Sequence, residues 1–365
     1  MVSFFRIPLL LLALSLSVVS CKKDNLTAPV DNTSVPRTLG EFIENNYDLS
    51  LLHAALEKAG LIDTLKQAGA FTMYAPDNAA FNAVGIVRAS DFDRMNTDSL
   101  RFILKYHIMK ERYFVSTFPS QLDNQYKSLA GPDIYVSIGV SGISSGNEGR
   151  FVFVNGTMIM PDAKRNISMA NGVLHILGRP LNYTQGSVQD YIAKDTSLTV
   201  FSALMKKFGY WDGLKTQKTI TAFAPSNEAF GRYKITVDSI GRMTPERFQS
   251  IAFGIYTLQL HPAHIFSTDA FAISGMNSGF NEQNSISIDS IAIYPSYTYN
   301  NYYKREETAV YIKRKKGNGD WINNPYGPST TNYYKGRVLN ADHVAENGIV
   351  HIVDQLFINP ALMLK

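Results

Sequence analysis

Cysteine is almost absent from this sequence. The one cysteine, Cys21, lies near the amino terminus of a chain of 365 residues. A lone thiol forms neither an intrachain disulfide nor a cysteine-based metal site. The folded part must therefore be held together by apolar burial, for which the 45% of hydrophobic residues is sufficient. Because domains usually hold about 100–200 residues, this length favours two domains over one.

An excess of charge of one sign is also missing. The 35 basic and 31 acidic residues leave a net charge of +4. Nucleic-acid binding proteins neutralise many phosphates with a dense basic patch, and this even balance does not indicate one. We therefore expect no nucleic-acid partner.

Signatures of catalytic and metal sites are scarce as well. The sequence contains no glycine-rich phosphate loop and no His-Glu-x-x-His helix, and it predicts no Gly-x-Ser-x-Gly elbow between a strand and a helix. His261 and His264 have a weak metal-ligand spacing, but no third ligand lies nearby in the sequence. We expect neither an enzyme nor a cofactor or metal site.

The amino-terminal segment predicts secretion. Arg6 precedes an apolar run from Ile7 to Val19, which is shorter than the roughly 20 residues that a spanning helix needs. Residues 1–20 are therefore interpreted as a cleaved signal peptide. The sequence Val18-Val19-Ser20-Cys21 resembles the bacterial lipobox, in which the cysteine is lipidated. The alternative is an ordinary signal peptide followed by an incidental cysteine.

Residues 21–36 are polar and contain two prolines, which is typical of a flexible tether. Lys22-Lys23-Asp24 partly resembles the signals that send lipoproteins of the Bacteroides group to the cell surface. The expected location is a bacterial cell envelope, with a lipid anchor at Cys21 in the outer membrane and surface display.

The rest of the chain contains an internal repeat. The segment FTMYAPDNAAF at Phe71–Phe81 matches ITAFAPSNEAF at Ile220–Phe230, which is an offset of 149 residues. NGVLHILGRPL, which begins at Asn171, matches NGIVHIVDQLF, which begins at Asn347, at an offset of 176. The second copy therefore holds 27 additional residues between these motifs, and residues 182–186 are the predicted joint between the copies.

Local patterns predict a mixed α+β domain in each copy. Residues 39–61 have a helical period, with a break near Asn45-Asn46 and a stop at Gly60. Phe71–Ala75 is a predicted strand that Pro76 ends, after which Asp77 is placed to cap a short helix. Asn171-Gly172 and Asn347-Gly348 each predict a tight turn into a closing strand.

Together these motifs resemble the fasciclin domain, in the arrangement of tandem fasciclin lipoproteins of the Bacteroidetes type. The resemblance implies two α+β domains, each a wedge of β-sheets flanked by short helices. The predicted boundaries are 37–183 for the first domain and 184–360 for the second, which carries a Tyr-rich insertion at about 280–335.

Four histidines occupy equivalent places in the two copies, His107 with His261 and His175 with His351, which favours structural roles. The pair Tyr106-His107 lies where fasciclin domains carry a Tyr-His pair that the resemblance links to adhesion, so both residues are candidate binding residues. The alternative is that they pack between helix and sheet. In the second copy Leu260 replaces the tyrosine.

The insertion provides the other candidates for binding, Tyr299, Tyr302, Tyr303 and Trp321. Tyrosine and tryptophan offer large, stiff, amphipathic faces that suit recognition surfaces. Alternation over Ala309–Ile312, followed by Gly317-Asn318-Gly319, predicts a hairpin with aromatic arms and a basic turn. The alternative is that these side chains pack on the domain's own sheet.

The sequence therefore favours a non-enzymatic binding or adhesion lipoprotein of the cell envelope, whose partner is an extracellular glycan or protein. A second hypothesis is an accessory or scaffold subunit of an outer-membrane complex of the glycan-uptake type.

Overall fold

The computed structural model describes residues 36–139, 151–160, 162–248, 254–257, 264–269, 272, 286–288, 291–300, 305–314 and 338–356. One compact unit extends from Arg37 to Lys365. It contains both copies of the sequence repeat, which are called repeat 1 (residues 37–183) and repeat 2 (from residue 184).

Short helices begin each repeat. Those of repeat 1 are α1 (Leu39–Glu44), α2 (Ser50–Lys58), α3 (Ile62–Lys66), α4 (Asn78–Ala83) and α5 (Thr97–Tyr106), with 3-10 turns at Tyr47–Leu49, Ala89–Arg94, Val115–Thr117 and Asp162–Lys164. Those of repeat 2 are α6 (Val188–Lys194), α7 (Thr199–Lys207), α8 (Gly213–Thr216), α9 (Asn227–Gly231) and α10 (Val237–Gly241), with 3-10 turns at Thr196–Leu198, Pro245–Arg247 and Gly254–Thr257.

The helix ends follow the chemistry that the sequence predicted. Asn45 closes α1, and the side chain of Asn46 caps the 3-10 turn that follows, so the predicted break is confirmed. Gly60 follows α2 with φ +66°. The side chains of Asp77 and Ser226 accept from the backbone N–H groups of Ala80 and Ala229, and both predicted caps are confirmed.

Repeat 1 contains two sheets. Its strands are β1 (Phe71–Pro76), β2 (Ile108–Met109), β3 (Asn124–Lys127), β4 (Asp133–Gly139), β5 (Phe151–Val154), β6 (Thr157–Met158), β7 (Ile167–Met169) and β8 (Gly172–Leu177). One sheet has the order β2-β1-β8-β7, in which β1 and β8 are parallel; the other is antiparallel, with the order β3-β4-β5-β6. Single bridges, Met109 to Ser128 and Ile159 to Leu177, connect the two.

The core lies on both faces of the first sheet, because successive side chains of a strand point to opposite faces. Met73 of β1 and Leu174 of β8 pack against the helices. Tyr74 and Leu177 pack instead against the apolar side chains of the second sheet. Helices on one side and a second sheet on the other give a mixed α+β domain, so the predicted fold class is confirmed.

Repeat 2 is built in the same way where it is described. Its strands are β9 (Ile220–Pro225), β10 (Ile286–Ile288), β11 (Ile291–Asn300), β12 (Arg305–Arg314), β13 (Val338–Ala345) and β14 (Gly348–Val353). In the order β13-β14-β9, β9 and β14 are parallel, as β1 and β8 are in repeat 1.

The two repeats also use the same side-chain contacts. Asn78 accepts from the N–H of Leu51, and Asn227 accepts from that of Val200, 149 positions later in both cases. Both asparagines also donate to the backbone of the preceding 3-10 turn. The repetition therefore extends from the sequence to individual hydrogen bonds.

The insertion is partly described. β11 and β12 pair antiparallel from Ile291↔Arg314 to Asn300↔Arg305, and β10 adds a third strand. Ala309–Ile312 therefore lies on a strand, as its alternation predicts, and this strand pairs with the one before it. Residues 315–337, which include most of the predicted basic turn, lie outside the described residues.

Candidate functional site

Tyr106 ends α5 and lies completely buried. Its hydroxyl donates to the carbonyl oxygen of Asp133 at 2.7 Å and accepts from the amide nitrogen of Asn155 at 2.7 Å. The ring lies 4.9 Å from that of Tyr183, next to the predicted joint. Burial raises the pKa of this phenol well above its usual value.

His107 closes α5 and is also buried. Its Nδ1 lies 2.7 Å from the carbonyl oxygen of Ile103, and its Nε2 accepts from the N–H of Leu181 at 2.9 Å. Nδ1 therefore carries the proton, and the imidazole is neutral. Burial lowers its pKa to about 4.

Tyr106 and His107 are therefore not accessible to a partner. Both were candidate binding residues, and the structure shows the packing alternative. The apolar period of α5 turns this end of the helix toward the sheets, where both polar groups find backbone partners.

His175 and His351 have matching surroundings in the two repeats. Each Nδ1 accepts from the N–H of a residue with positive φ, Asn166 or Asp342, at 3.3 Å. Each Nε2 lies within 2.9 Å of a carbonyl oxygen, that of Tyr113 or Ile265. These contacts fit two neutral histidines that join the closing strand to neighbouring backbone, which is the predicted structural role.

Large apolar side chains are exposed on the helical side of repeat 1. Tyr47 is 85% exposed, Val87 64%, Val84 51% and Met95 36%. Tyr47 is tied to α4, because Asn78 donates to its carbonyl oxygen. Val84 closes α4, and Val87 and Met95 flank the 3-10 turn that follows. These four residues are called the apolar face of repeat 1.

Repeat 2 does not reproduce this face. The positions 149 residues further on hold Thr196, Tyr233, Thr236 and Thr244, three of which are polar. Exposed apolar groups at positions that are polar in a similar domain favour an interaction surface over a requirement of the fold. Sequence reasoning missed this face, although the exchange of apolar residues for threonine between the repeats was a readable signal.

The remaining candidates are only partly described. Tyr299 lies on β11, where its Cα is paired with that of Glu306. Tyr302, Tyr303 and Trp321, as well as Cys21 and His261, lie outside the described residues. His264 is described and lies against Asp123, with 3.3 Å between Nδ1 and Oδ2.

In the described ranges, no three histidine, cysteine or acidic side chains are grouped in a way that would hold a metal ion. Residues 142–146 spell Gly-x-Ser-x-Gly. They lie outside the described residues, between β4 and β5, which pair antiparallel; this motif acts in an elbow between a strand and a helix. None of the described helices combines the length and apolar character needed to cross a bilayer.

Comparison with known proteins agrees with this architecture. Residues 47–183 match the family model described as the fasciclin domain. Repeat 1 is therefore similar to a fasciclin domain. The matched residues include α2 to α5 and both sheets of the repeat.

Several relatives share part of the sequence. Human periostin is 26% identical over 208 residues, which is 56% of this chain and 23% of periostin. The cell surface glycolipoprotein MPB83 of Mycobacterium bovis is 35% identical over 99 residues, 25% of this chain and 41% of that protein. Protein sll1483 of Synechocystis is 29% identical over 147 residues, 40% of this chain and 73% of that protein.

This chain spans less than a quarter of periostin and less than half of MPB83. Among solved structures, a FAS1 domain pair from the insect cell adhesion molecule fasciclin I covers 86% of this chain and 98% of its own, at 16% identity and a TM-score of 0.36.

Proposed function

We propose that this protein is a non-enzymatic binding protein of a bacterial cell envelope, and that it holds an extracellular protein or glycan through the apolar face of repeat 1 and the Tyr-rich insertion of repeat 2. The observation that carries the proposal is the exposure of Tyr47, Val84 and Val87 on a fasciclin-like domain whose sister repeat has threonine at two of these positions. MPB83, which is similar to part of this chain, is named a cell surface glycolipoprotein.

The apolar face suits a protein partner because its flat aromatic and aliphatic groups gain from desolvation without requiring a pocket. Charged side chains border it, such as Arg88 and Asp91, which form an exposed ion pair at 3.2 Å. A polar rim around apolar residues is the usual anatomy of a recognition surface. The tyrosines of the insertion add faces that stack equally well on sugar rings or protein.

Two variants separate these surfaces. One replaces Tyr47, Val84 and Val87 with serine; the other replaces Tyr299, Tyr302, Tyr303 and Trp321 with alanine. Each variant is tested for retention on immobilised extracellular-matrix proteins and polysaccharides. If the surface that it lacks binds the partner, its retention should fall at least about tenfold, since hot-spot residues contribute about 2 kcal/mol or more.

Val237→Ser is the matched control, because Val237 is 47% exposed on repeat 2, outside both surfaces. It should bind like the wild type. If both multiply substituted proteins are retained as well as the wild type and their circular dichroism is unchanged, the proposed surfaces are refuted.

We also propose that Cys21 carries the lipid that holds the protein at the membrane. In cells that process lipoproteins, the wild-type chain should sediment with membranes and incorporate a labelled fatty acid. Cys21→Ala should do neither. A Cys21→Ala chain that still sediments with membranes and takes up label would contradict the anchor.

A further inference from the structure

The two repeats are joined by direct contacts as well as by the chain. The side chain of Asn182 in repeat 1 accepts from the N–H of Val344 in repeat 2 at 3.3 Å. The next residues of the joint belong to repeat 2 and are bonded to the same strand: the N–H of Thr184 donates to the carbonyl oxygen of Val344 at 2.8 Å, and Glu346 accepts from the N–H of Gly186 at 3.0 Å. The joint therefore runs alongside β13 and is bonded to it.

Side chains and backbone are closely packed where the repeats meet. The ring of Tyr135 on β4 lies 4.5 Å from the imidazole of His264 and 5.8 Å from the ring of Phe266. A Cβ on Gly139 would lie 2.8 Å from the carbonyl oxygen of Ala272. No side chain fits between these backbones, so the surfaces are complementary in detail.

Three carboxyl groups are gathered at this junction. Asp342 is 2% exposed and accepts from the N–H and the hydroxyl of Ser267 at 2.7 and 2.6 Å. Arg179 of repeat 1 approaches Asp342 to 3.6 Å. Asp123 of repeat 1 faces His264, and its Oδ1 has no hydrogen-bond partner among the described residues.

Of the three carboxyl groups, that of Asp269 has the least compensation for a negative charge from hydrogen bonds and basic side chains. It is 1% exposed, and its Oδ2 accepts from the N–H of Phe266 at 2.8 Å. Among the residues that the structure describes, its Oδ1 has no hydrogen-bond partner and no basic side chain pairs with the carboxyl group. A buried carboxylate without a cation is costly, and protonation removes that cost.

We propose that this cluster is a proton-operated latch: Asp269 holds a proton while the two repeats are closed on one another, and loss of that proton loosens the junction. The site is distinct from the binding surfaces proposed above and needs no ligand. Its effect would be to make the angle between the repeats depend on the acidity of the surroundings.

The groups around Asp269 give the direction. The pKa of Asp269 is raised to about 7, chiefly by burial and further by the negative charges of Asp342 and Asp123, while hydrogen bonds from Ser137 of β4 and the N–H of Phe266 act in the opposite sense. An exposed aspartic acid has a pKa of about 3.9. The closed junction therefore binds the proton more tightly than the open one does, so acid favours closure. This advantage is lost as the pH rises toward 7 and stays lost above it.

The other ionisable groups at the junction contact the carboxyl cluster or the backbone. Arg179 pairs with Asp342 at 3.6 Å. The Nδ1 of His264 lies 3.3 Å from Oδ2 of Asp123. His351 lies on the far side of Asp342, at 3.9 Å from Oδ1, and is bonded to backbone through both ring nitrogens.

The test measures the distance between the repeats directly. Spin labels are placed at Asp93→Cys in repeat 1 and Glu228→Cys in repeat 2, whose side chains are 75% and 80% exposed. The full chain carries Cys21→Ser and is kept in a mild detergent. Electron–electron double resonance should give a narrow distance distribution at pH 5 and a broader one at pH 8.5, with a midpoint near pH 7.

Asp269→Asn is permanently neutral and nearly isosteric, so its distribution should be narrow at both pH values. Asp123→Asn removes one of the two charges that raise the pKa of Asp269, so its midpoint should move to lower pH. Asp63→Asn, an exposed position on α3, serves as the control and should behave like the wild type.

A wild-type distribution that is the same at pH 5 and 8.5 would overturn the latch. So would an Asp269→Asn chain that still broadens at high pH. If circular dichroism shows that Asp269→Asn does not fold, Asp123→Asn decides: an unchanged midpoint overturns the proposal, and a lowered midpoint supports it.

Discussion

A single asparagine, buried in repeat 1 and partly buried in repeat 2, holds the beginning and the end of each repeat together. Oδ1 of Asn171 accepts from the N–H of Leu39 at the start of α1, and its Nδ2 donates to the carbonyl oxygens of Leu65 and Gln67. Asn347 makes the equivalent bonds in repeat 2, to Val188 and to the end of α8. One side chain therefore satisfies backbone groups at two helix termini that would otherwise be buried without partners.

Asn171→Ala should lower the free energy of unfolding of repeat 1 by about 2–4 kcal/mol, because several buried backbone groups lose their partners at once. Urea unfolding followed by circular dichroism measures this. Asn45→Ala is the control, since Asn45 is exposed and donates only to the carbonyl oxygen of Glu41; its effect should stay within about 0.5 kcal/mol. Equal effects of the two substitutions would argue against this role.

Buried neutral histidines make repeat 1 sensitive to acid. Burial lowers the pKa of both His107 and His175 to about 4, below the usual value of about 6.5. The unfolded chain therefore binds protons that the folded chain does not, and stability is lost as the pH falls from about 6.5 to 4. This direction is opposite to that of Asp269.

Acidification from pH 7 to pH 4 should lower the free energy of unfolding by about 1–3 kcal/mol for each of these histidines. In His107→Gln and in His175→Gln the free energy of unfolding should fall less between pH 7 and pH 4, by the contribution of the one histidine that is replaced. Both variants are less stable than the wild type at pH 7. Urea midpoints between pH 4 and 7 measure it. If neither substitution changes how the urea midpoint varies with pH, these two histidines are not the cause of the acid sensitivity.

At the scale of elements, a glycine follows the second helix of each repeat, α2 in repeat 1 and α7 in repeat 2. After α2, the N–H of Gly60 donates to Glu57 and that of Leu61 to Leu56, both at 2.9 Å, which is a Schellman motif. Gly209 follows α7 with φ +76° and similar bonds. The left-handed conformation is strained for any residue with a Cβ.

Gly60→Ala should therefore cost about 1 kcal/mol, although a Cβ there meets only Arg101, at 4.0 Å. Gly231→Ala is a matched contrast: Gly231 ends α9, has no positive φ and would present its Cβ to open space. That change should be neutral or stabilising by up to about 1 kcal/mol. Thermal unfolding of the two variants separates conformational strain from loss of space, and a Gly60→Ala chain as stable as the wild type would exclude strain at this turn.

At the scale of the whole molecule, the junction makes one body of two similar domains. It combines the hydrogen bond from the N–H of Val344 to Asn182 and the ion pair of Arg179 with Asp342 with the aromatic contact of Tyr135 and His264. Interfaces between domains of one chain allow relative motion unless they are closely packed. Here the packing depends on Gly139, whose missing side chain lets β4 approach the backbone of Ala272.

Gly139→Ala should open the junction without unfolding either repeat, because the added Cβ meets the backbone of the other repeat and not a flexible side chain. The radius of gyration from small-angle X-ray scattering should rise, while the circular dichroism spectrum stays the same. Gly241→Ala, where a Cβ meets nothing within 4 Å, should leave the radius unchanged. Equal radii for wild type and Gly139→Ala would show that the contact does not hold the repeats together.

Features that depend on neighbours in the chain were predictable. The helix break at Asn45, the stop at Gly60, the caps at Asp77 and Ser226 and the parallel between the copies all follow from short-range chemistry and from a repeated pattern. These features determine the α+β class, because each of them fixes a local dihedral angle or hydrogen bond whatever the rest of the chain does.

Only the tertiary structure decided burial and partnership. Tyr106 has a tyrosine's binding chemistry, yet its hydroxyl is used by Asp133 and Asn155 inside repeat 1. The meeting of Asp123, Asp269 and Asp342 likewise joins segments that are distant in the sequence. Such contacts depend on how whole elements pack, and a periodic pattern along the chain does not encode which surfaces will meet.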